Sequence, residues 1–242
     1  MKEQSGLVDL IDYNTNGFVV LRGALEPSVC ESAEKEIWVL LNKLHGIRSS
    51  DTSTWTIEDP RGLSALRGCG AFELTAPDLV MQAIEEILGE RPWGRPDKWG
   101  GPLVTFPRIG PWKVPNKGWH IDYPARGNLG LRFGVKMLGL LKDMESGGGA
   151  TLLSPGSHQV VHELTLEKRD GNAGNSSKVR KTLDARGHDF RNEYFEFTGS
   201  AGDVLLFDPW LFHAASPNTR KTPRMMVEQN VPSIAALSLY AG

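Results

Sequence analysis

A chain of 242 residues, 40% hydrophobic and 23% charged, can bury a substantial core in one large domain or two small ones. Its formal net charge of −2 and sequence pI near 6.3 give no general electrostatic case for nucleic acid or an anionic membrane. Two cysteines, Cys30 and Cys69, cannot build a disulfide framework, and the most apolar run, residues 133–141, is too short and too interrupted by Lys136 to span a bilayer.

The opening residues Met1-Lys2-Glu3-Gln4-Ser5 lead into no apolar core with a cleavage site, so a cytoplasmic protein without a signal peptide is expected. Residues 17–22, Gly-Phe-Val-Val-Leu-Arg, read as a strand. Pro27 opens a helix to about Leu44, with Val29, Ala33, Ile37, Leu40, Leu41 and Leu44 at spacings of three and four, and Gly46 ends it. Residues 49–70 read as an irregular loop. A second helix runs from Pro77 to Leu88, with Gly89 as its stop. Prolines and glycines are dense between 91 and 118, broken by a strand at 103–106. Further strands are expected at 118–123, 131–141, 150–153, 194–198, 203–207 and 225–231, and a helix from 155 through 166. Residues 169–189, with few large apolar groups, read as a mobile surface loop and a candidate lid over a substrate pocket. No repeat or linker divides the chain. A single domain over 1–242 is expected, with helices in about 1–100 and a double-sheet jelly roll over about 101–235.

Chemistry concentrates at two places. In Gly118-Trp119-His120-Ile121-Asp122-Tyr123 a period of two sets His120 and Asp122 on one face, so an imidazole and a carboxylate can converge. A second histidine would complete a 2-His-1-carboxylate set, which holds non-haem iron(II) and leaves positions open. His213, just beyond the strand at 203–207, is the candidate third ligand. Arg224 follows eleven residues later, and its rigid fork of donors suits a bidentate pair with a carboxylate. A His-x-Asp pair alone is weak, because such pairs arise by chance. His45, His158, His162 and His188 are read as packing or solvated residues, and Gly147-Gly148-Gly149 as a tight turn without the Lys-Ser/Thr that phosphate binding would need.

Taken in order, residues 17–25, His120-x-Asp122, Gly148-Gly149 followed by Pro155-Gly156-Ser157-His158, and His213 with Arg224 resemble the phytanoyl-CoA dioxygenase family. The resemblance implies a double-stranded β-helix, cupin-like, mainly β with flanking helices. It implies iron(II) on His120, Asp122 and His213, 2-oxoglutarate as co-substrate with Arg224 on its far carboxylate, and O2. The reaction implied is oxidative decarboxylation to succinate and CO2, coupled to oxidation of a C–H bond. Halogenating relatives replace the carboxylate ligand by a small residue. Asp122 is retained, which favours hydroxylation, or desaturation or ring closure. The sequence departs from many relatives at Ala215, where a serine helps hold 2-oxoglutarate, and at Leu138, where a tryptophan stands. Ser216 or Thr105 are the candidate substitutes, and Arg67 or Arg61 a candidate upstream contact. A small metabolite or natural-product intermediate is the expected substrate, with no nucleic-acid or membrane partner. A jelly-roll protein that binds metal or a small ligand without turnover, and a metal-dependent hydrolase or isomerase on the same barrel, are the competing readings.

Overall fold

The computed structural model describes residues 6–89, 92–123, 125–126, 134–167, 172–234 and 236. In chain order the elements are α1 (Leu10–Asn16), β1 (Phe18–Leu21), α2 (Pro27–His45), α3 (Asp78–Leu88), β2 (Gly101–Thr105), β3 (Ala125–Arg126), β4 (Gly134–Leu140), β5 (Thr151–Leu153), α4 (Ser157–Glu167), β6 (Asn172–Gly174), α5 (Ser176–Ala185), β7 (Phe195–Glu196), β8 (Val204–Phe207), β9 (His213–Ala215) and β10 (Arg224–Pro232).

The strands form an antiparallel five-stranded sheet in the order β1-β8-β4-β10-β2, a three-stranded sheet β7-β5-β9 and a two-stranded ribbon β3-β6. Alternation along each strand divides the core into three clusters. Leu138, Leu140, Leu205, Phe207 and Met226 of the large sheet meet Leu153 of the small sheet in an inner core. The opposite face of the large sheet, through Val135, Met137, Val204, Leu206, Met225 and Val227, packs on α2 and α3. Leu152 and Ala214, on the outer face of the small sheet, pack on α4 and α5. The result is four layers: helices, large sheet, small sheet, helices. This is the expected mainly β jelly roll with flanking helices.

The helix stripes are buried as the spacing predicts: Cys30, Ala33, Ile37 and Leu41 of α2, and Val80, Ala83, Ile84, Ile87 and Leu88 of α3. Each large apolar side chain so buried stabilises by about 1.5–3 kcal/mol. Gly46 closes α2 in the left-handed conformation (φ 68), where a side chain would be strained.

Four expectations change. Residues 118–123 do not form a strand; His120 makes only an isolated bridge to His213. The loop at 49–70 contains two short 3-10 turns, Thr52–Thr54 and Leu63–Leu66. Helix α1, capped by the Asp9 carboxylate, was not expected. Of the expected mobile loop at 169–189, residues 169–171 lie outside the described residues, 172–174 form β6 and 176–185 form α5. Asn175 caps α5, and Val179 and Leu183, one turn apart, are fully buried. Two apolar residues sufficed because Trp119, Phe190 and Phe212 already offered an apolar surface to receive them. The expected strand at 131–141 begins, as described, at Gly134; residues 131–133 lie outside the described residues.

Candidate metal centre

His213 opens β9, and its side chain points between the sheets. His120 is held opposite it by a reciprocal pair of backbone bonds: the His120 N–H donates to the His213 carbonyl (2.8 Å) and the His213 N–H to the His120 carbonyl (2.9 Å). Asp122 is fixed two residues on, its N–H donating to the Pro209 carbonyl at 2.9 Å. A single bridge and one further bond therefore do the work expected of a strand.

The three side chains converge. Asp122 Oδ1 lies 3.8 Å from His120 Nε2 and 3.7 Å from His213 Nε2, and the three donor atoms all fall within 4.8 Å of one another. Bond lengths near 2.1 Å would set neighbouring donors about 3 Å apart, so binding an ion calls for closure of about 1 Å. Both imidazoles are prepared alike. Nδ1 of His120 lies 2.8 Å from the Gly118 carbonyl oxygen, and Nδ1 of His213 2.8 Å from that of Leu211. A carbonyl oxygen can only accept, so each Nδ1 carries the proton and each Nε2 turns its lone pair to the common point. Burial pushes the His213 pKa down to about 4, with neighbouring His120 adding to the effect and Asp122 opposing it, so this ring is neutral at pH 7.

The loop into His213 is itself anchored. Asp208, fully buried, accepts from the Trp210 N–H (2.8 Å) and pairs with His162 Nε2 of α4 at 3.1 Å. Burial works against its ionised form, but the His162 contact and the Trp210 N–H outweigh it and hold its pKa below the usual carboxylate range. The Ser157 hydroxyl, at the start of α4, accepts from the Phe212 N–H at 2.9 Å. The Pro-Gly-Ser-His turn thus sets the approach of a ligand more than fifty residues away. The sequence reads His158 and His162 as packing or solvated residues, and the fold packs both: His162 on Asp208, and His158 with its Nε2 3.2 Å from the Asn14 carbonyl.

Across the barrel, the inner face of the large sheet supplies two further contacts from paired positions of β4 and β8. Phe207 packs edge-on against the His213 ring (centroids 5.0 Å apart), and Lys136 sets its Nζ 3.4 Å from Asp122 Oδ2 and 2.9 Å from Glu228 Oε2. Burial pushes the Lys136 pKa down, but the two carboxylates push it further up, so the ammonium is held charged. Sequence reading noted Lys136 only as an interruption in an apolar run and missed Glu228. A lysine between Val135 and Met137 in a strand buried at every position was the available signal.

Arg224 begins β10, buried, with Nη1 donating to the Gly149 carbonyl at 2.8 Å. Its Nε is buried without a partner among the described residues. An orphaned donor on a buried guanidinium suits an incoming carboxylate. Of the candidate helpers, the Thr105 hydroxyl is committed to Asp59 (2.9 Å), whereas Ser216 Oγ is buried without a partner among the described residues. Arg67 pairs with Glu228 and Gln229, and Arg61 offers its carbonyl to His45. The site opens on one side: the His120 side chain is 46% exposed, and Ala215, on the same face of β9 as His213, is exposed. A cleft of about 740 Å³ lies elsewhere, between α2 and the 141–145 and 219–224 segments. It touches Arg224 but none of the three donors.

The sequence model of the family described as Phytanoyl-CoA dioxygenase (PhyH) matches residues 13–226. No curated protein matches in sequence. Among solved structures, EctD from S. alaskensis with 2-oxoglutarate and 5-hydroxyectoine superposes with a TM-score of 0.63 at 16% identity, covering 98% of this chain and 80% of that one. AviO1 from Streptomyces viridochromogenes gives 0.60 at 20% identity, covering 93% and 94%. HygX from Streptomyces hygroscopicus, with nickel and 2-oxoglutarate bound, gives 0.59 at 18% identity, covering 95% and 88%.

Proposed function

The chain belongs to the phytanoyl-CoA dioxygenase family, and from that premise we propose that it is a non-haem iron(II)- and 2-oxoglutarate-dependent oxygenase acting on a small molecule. The observation that carries the reading is the convergence of His120 Nε2, Asp122 Oδ1 and His213 Nε2, each with its other polar atom already engaged or directed elsewhere. Such a set fits iron(II) and leaves exchangeable positions. When bound, the ion with 2-oxoglutarate and O2 supplies an oxidative decarboxylation, yielding succinate and CO2, that oxidises a C–H bond.

The chain's own residues supply geometry. The carbonyls of Gly118 and Leu211 hold the two imidazoles in one tautomer. Arg224, with its unpartnered Nε, binds the far carboxylate of the co-substrate, and Gly149 keeps the guanidinium aimed by accepting from Nη1. Phe207 and the inner core exclude water from the buried side, while the exposed edge at His120 and Ala215 admits substrate. Retention of Asp122 favours hydroxylation, desaturation or ring closure over halogenation. The substrate is a small metabolite or natural-product intermediate; 5-hydroxyectoine in EctD is of that size. The whole chain acts as one oxygenase domain.

The test is anaerobic calorimetry with iron(II), then 2-oxoglutarate. Wild type takes one iron(II) per chain and then one 2-oxoglutarate. His120→Ala and His213→Ala lose most iron affinity while retaining the fold. Undiminished iron binding in either variant would remove that histidine from the centre, and a chain that binds iron but not 2-oxoglutarate would favour a protein that holds metal without turnover.

A further inference from the structure

Asp122 presents its two oxygens to different partners. Oδ1 faces both histidine Nε2 atoms, whereas Oδ2 is buried, accepts no hydrogen bond among the described residues and faces Lys136 Nζ at 3.4 Å as an ion pair. Lys136 stands on the opposite sheet, and its other contact is Glu228 Oε2 at 2.9 Å, from the neighbouring strand β10. Glu228 in turn is reached by Arg67 Nη2 at 3.3 Å. The charges alternate along Arg67, Glu228, Lys136 and Asp122 and sum to zero.

Arg67 does not belong to the sheet. It lies just past the turn Leu63–Leu66 and passes over the outermost strand at Gly101, the register partner of Glu228. A Cβ at Gly101 would run into the Arg67 guanidinium. The same guanidinium donates to Gln229 Oε1 (3.2 Å), which also accepts from the Gly100 N–H (2.9 Å). The far end of the charge chain is therefore clamped to the sheet edge.

Burying the Lys136 ammonium against the nearly buried Asp122 carboxylate is a poor way to stabilise a barrel, since apolar side chains of similar volume do as well or better. On the same face of β4, Leu138 and Leu140 are such residues. What a lysine supplies and a leucine does not is direction. We propose that Lys136, anchored by Glu228 and Arg67, is a positioning residue that occupies Asp122 Oδ2 and so restricts this carboxylate to binding metal through Oδ1 alone. The inference rests on the metal-centre reading above. It adds that the position left free by one-oxygen binding is kept free by the opposite sheet. Without Lys136, the carboxylate turns and chelates through both oxygens, filling a position that co-substrate or O2 needs.

The test uses cobalt(II) as a spectroscopic probe on the purified full chain, with no turnover involved. Wild type is expected to bind one cobalt(II), with visible d–d bands that disappear in His213→Ala. Lys136→Met is expected to keep binding, but with weaker and shifted bands as the coordination number rises. Lys136→Arg should restore the wild-type bands in part. Gly101→Ala, which leaves Lys136 and Asp122 in place but displaces Arg67, should shift the bands in the same direction by less. It is the variant to rely on if Lys136→Met fails to fold. If wild type binds no cobalt(II), or if His213→Ala binds it unchanged, the metal-centre reading fails. If wild type binds and His213→Ala does not, yet Lys136→Met and Gly101→Ala show wild-type bands, the positioning role is overturned. Tighter binding with unchanged bands in Lys136→Met would also overturn it, reducing the lysine to a background charge.

Discussion

In the proposed function, Arg224 is the residue on which co-substrate binding turns. Its guanidinium is buried, and burial pushes its pKa down while Asp59 and Glu228 oppose the shift. Arg224→Ala removes the fork and leaves an incoming carboxylate unpaired, a loss of about 3–5 kcal/mol or roughly two to four decades in 2-oxoglutarate affinity. Iron affinity should change far less. Arg224→Lys should recover only part, because a point charge cannot reproduce two parallel donors. An unchanged 2-oxoglutarate titration in Arg224→Ala would move the role elsewhere. Arg220 is a poor substitute, half-exposed with its Nε already donating to the Ser146 carbonyl. At this scale the sequence was informative where chemistry is carried by residue type and spacing: His120, Asp122 and His213, which the fold brings together, were all candidates there. It was silent on Lys136, Glu228 and Asp208, whose partners lie 14, 92 and 46 residues away along the chain or more, because only the pairing of strands and helices brings these groups together.

Among the elements, β1 and β8 are joined by a carboxylate that is easy to overlook. Asp203, just before β8, accepts from the Gly23 N–H (2.9 Å), from Arg22 Nη1 (2.6 Å) and from the Ser200 N–H (3.1 Å). Burial pushes its pKa up, but these three donors outweigh it and leave the pKa below the ordinary carboxylate value. A depressed carboxylate contributes stability that is present above its unfolded pKa of about 3.9 and is lost as the pH falls through its folded pKa. Asp203→Asn should therefore cost about 1–3 kcal/mol at pH 7. The difference from wild type should shrink once the pH drops below about 4. Denaturant melts at both pH values check this, and a pH-independent difference would show that shape rather than charge matters. A second element, α5, tests the correction of the expected loop. Leu183→Ala, a fully buried leucine, should cost about 2–5 kcal/mol, whereas a leucine in a mobile loop would cost almost nothing. Helices α2 and α3 were legible because their apolar stripes are long. Helix α5 was not, since its stripe has two members and much of its receiving surface comes from Trp119 and Phe212, distant in sequence. Residues 118–123 misled in the opposite sense. Their alternation mimics a strand, but the glycine-proline-rich approach leaves a single bridge, and His120 and Asp122 are aligned by His213 and Pro209 instead.

On the scale of the molecule, the centre is built from both sheets. The small sheet contributes His213 and, through its bridge, His120; the large sheet contributes Lys136, Phe207 and Glu228. Binding an ion there ties the two sheets together and should stabilise the whole fold. At a free iron(II) concentration about 100 times its Kd, the gain is about 2.7 kcal/mol, which for a chain of this length raises the Tm by roughly 5–11 °C. A chelator should reverse the shift, and His213→Ala should show none. Among the described residues no helix is long and apolar enough to cross a membrane, and α2 and α3 pack against the large sheet.

The central claim, that His120, Asp122, His213 and Arg224 together hold iron(II) and 2-oxoglutarate, is tested most directly by visible spectroscopy under anaerobic conditions. Adding iron(II) and then 2-oxoglutarate to the protein should produce a weak metal-to-ligand charge-transfer band in the visible, without any substrate. The band should be missing in Asp122→Ala and should require far more 2-oxoglutarate in Arg224→Ala. A folded, iron-loaded wild-type protein that shows no such band at saturating 2-oxoglutarate would contradict the account.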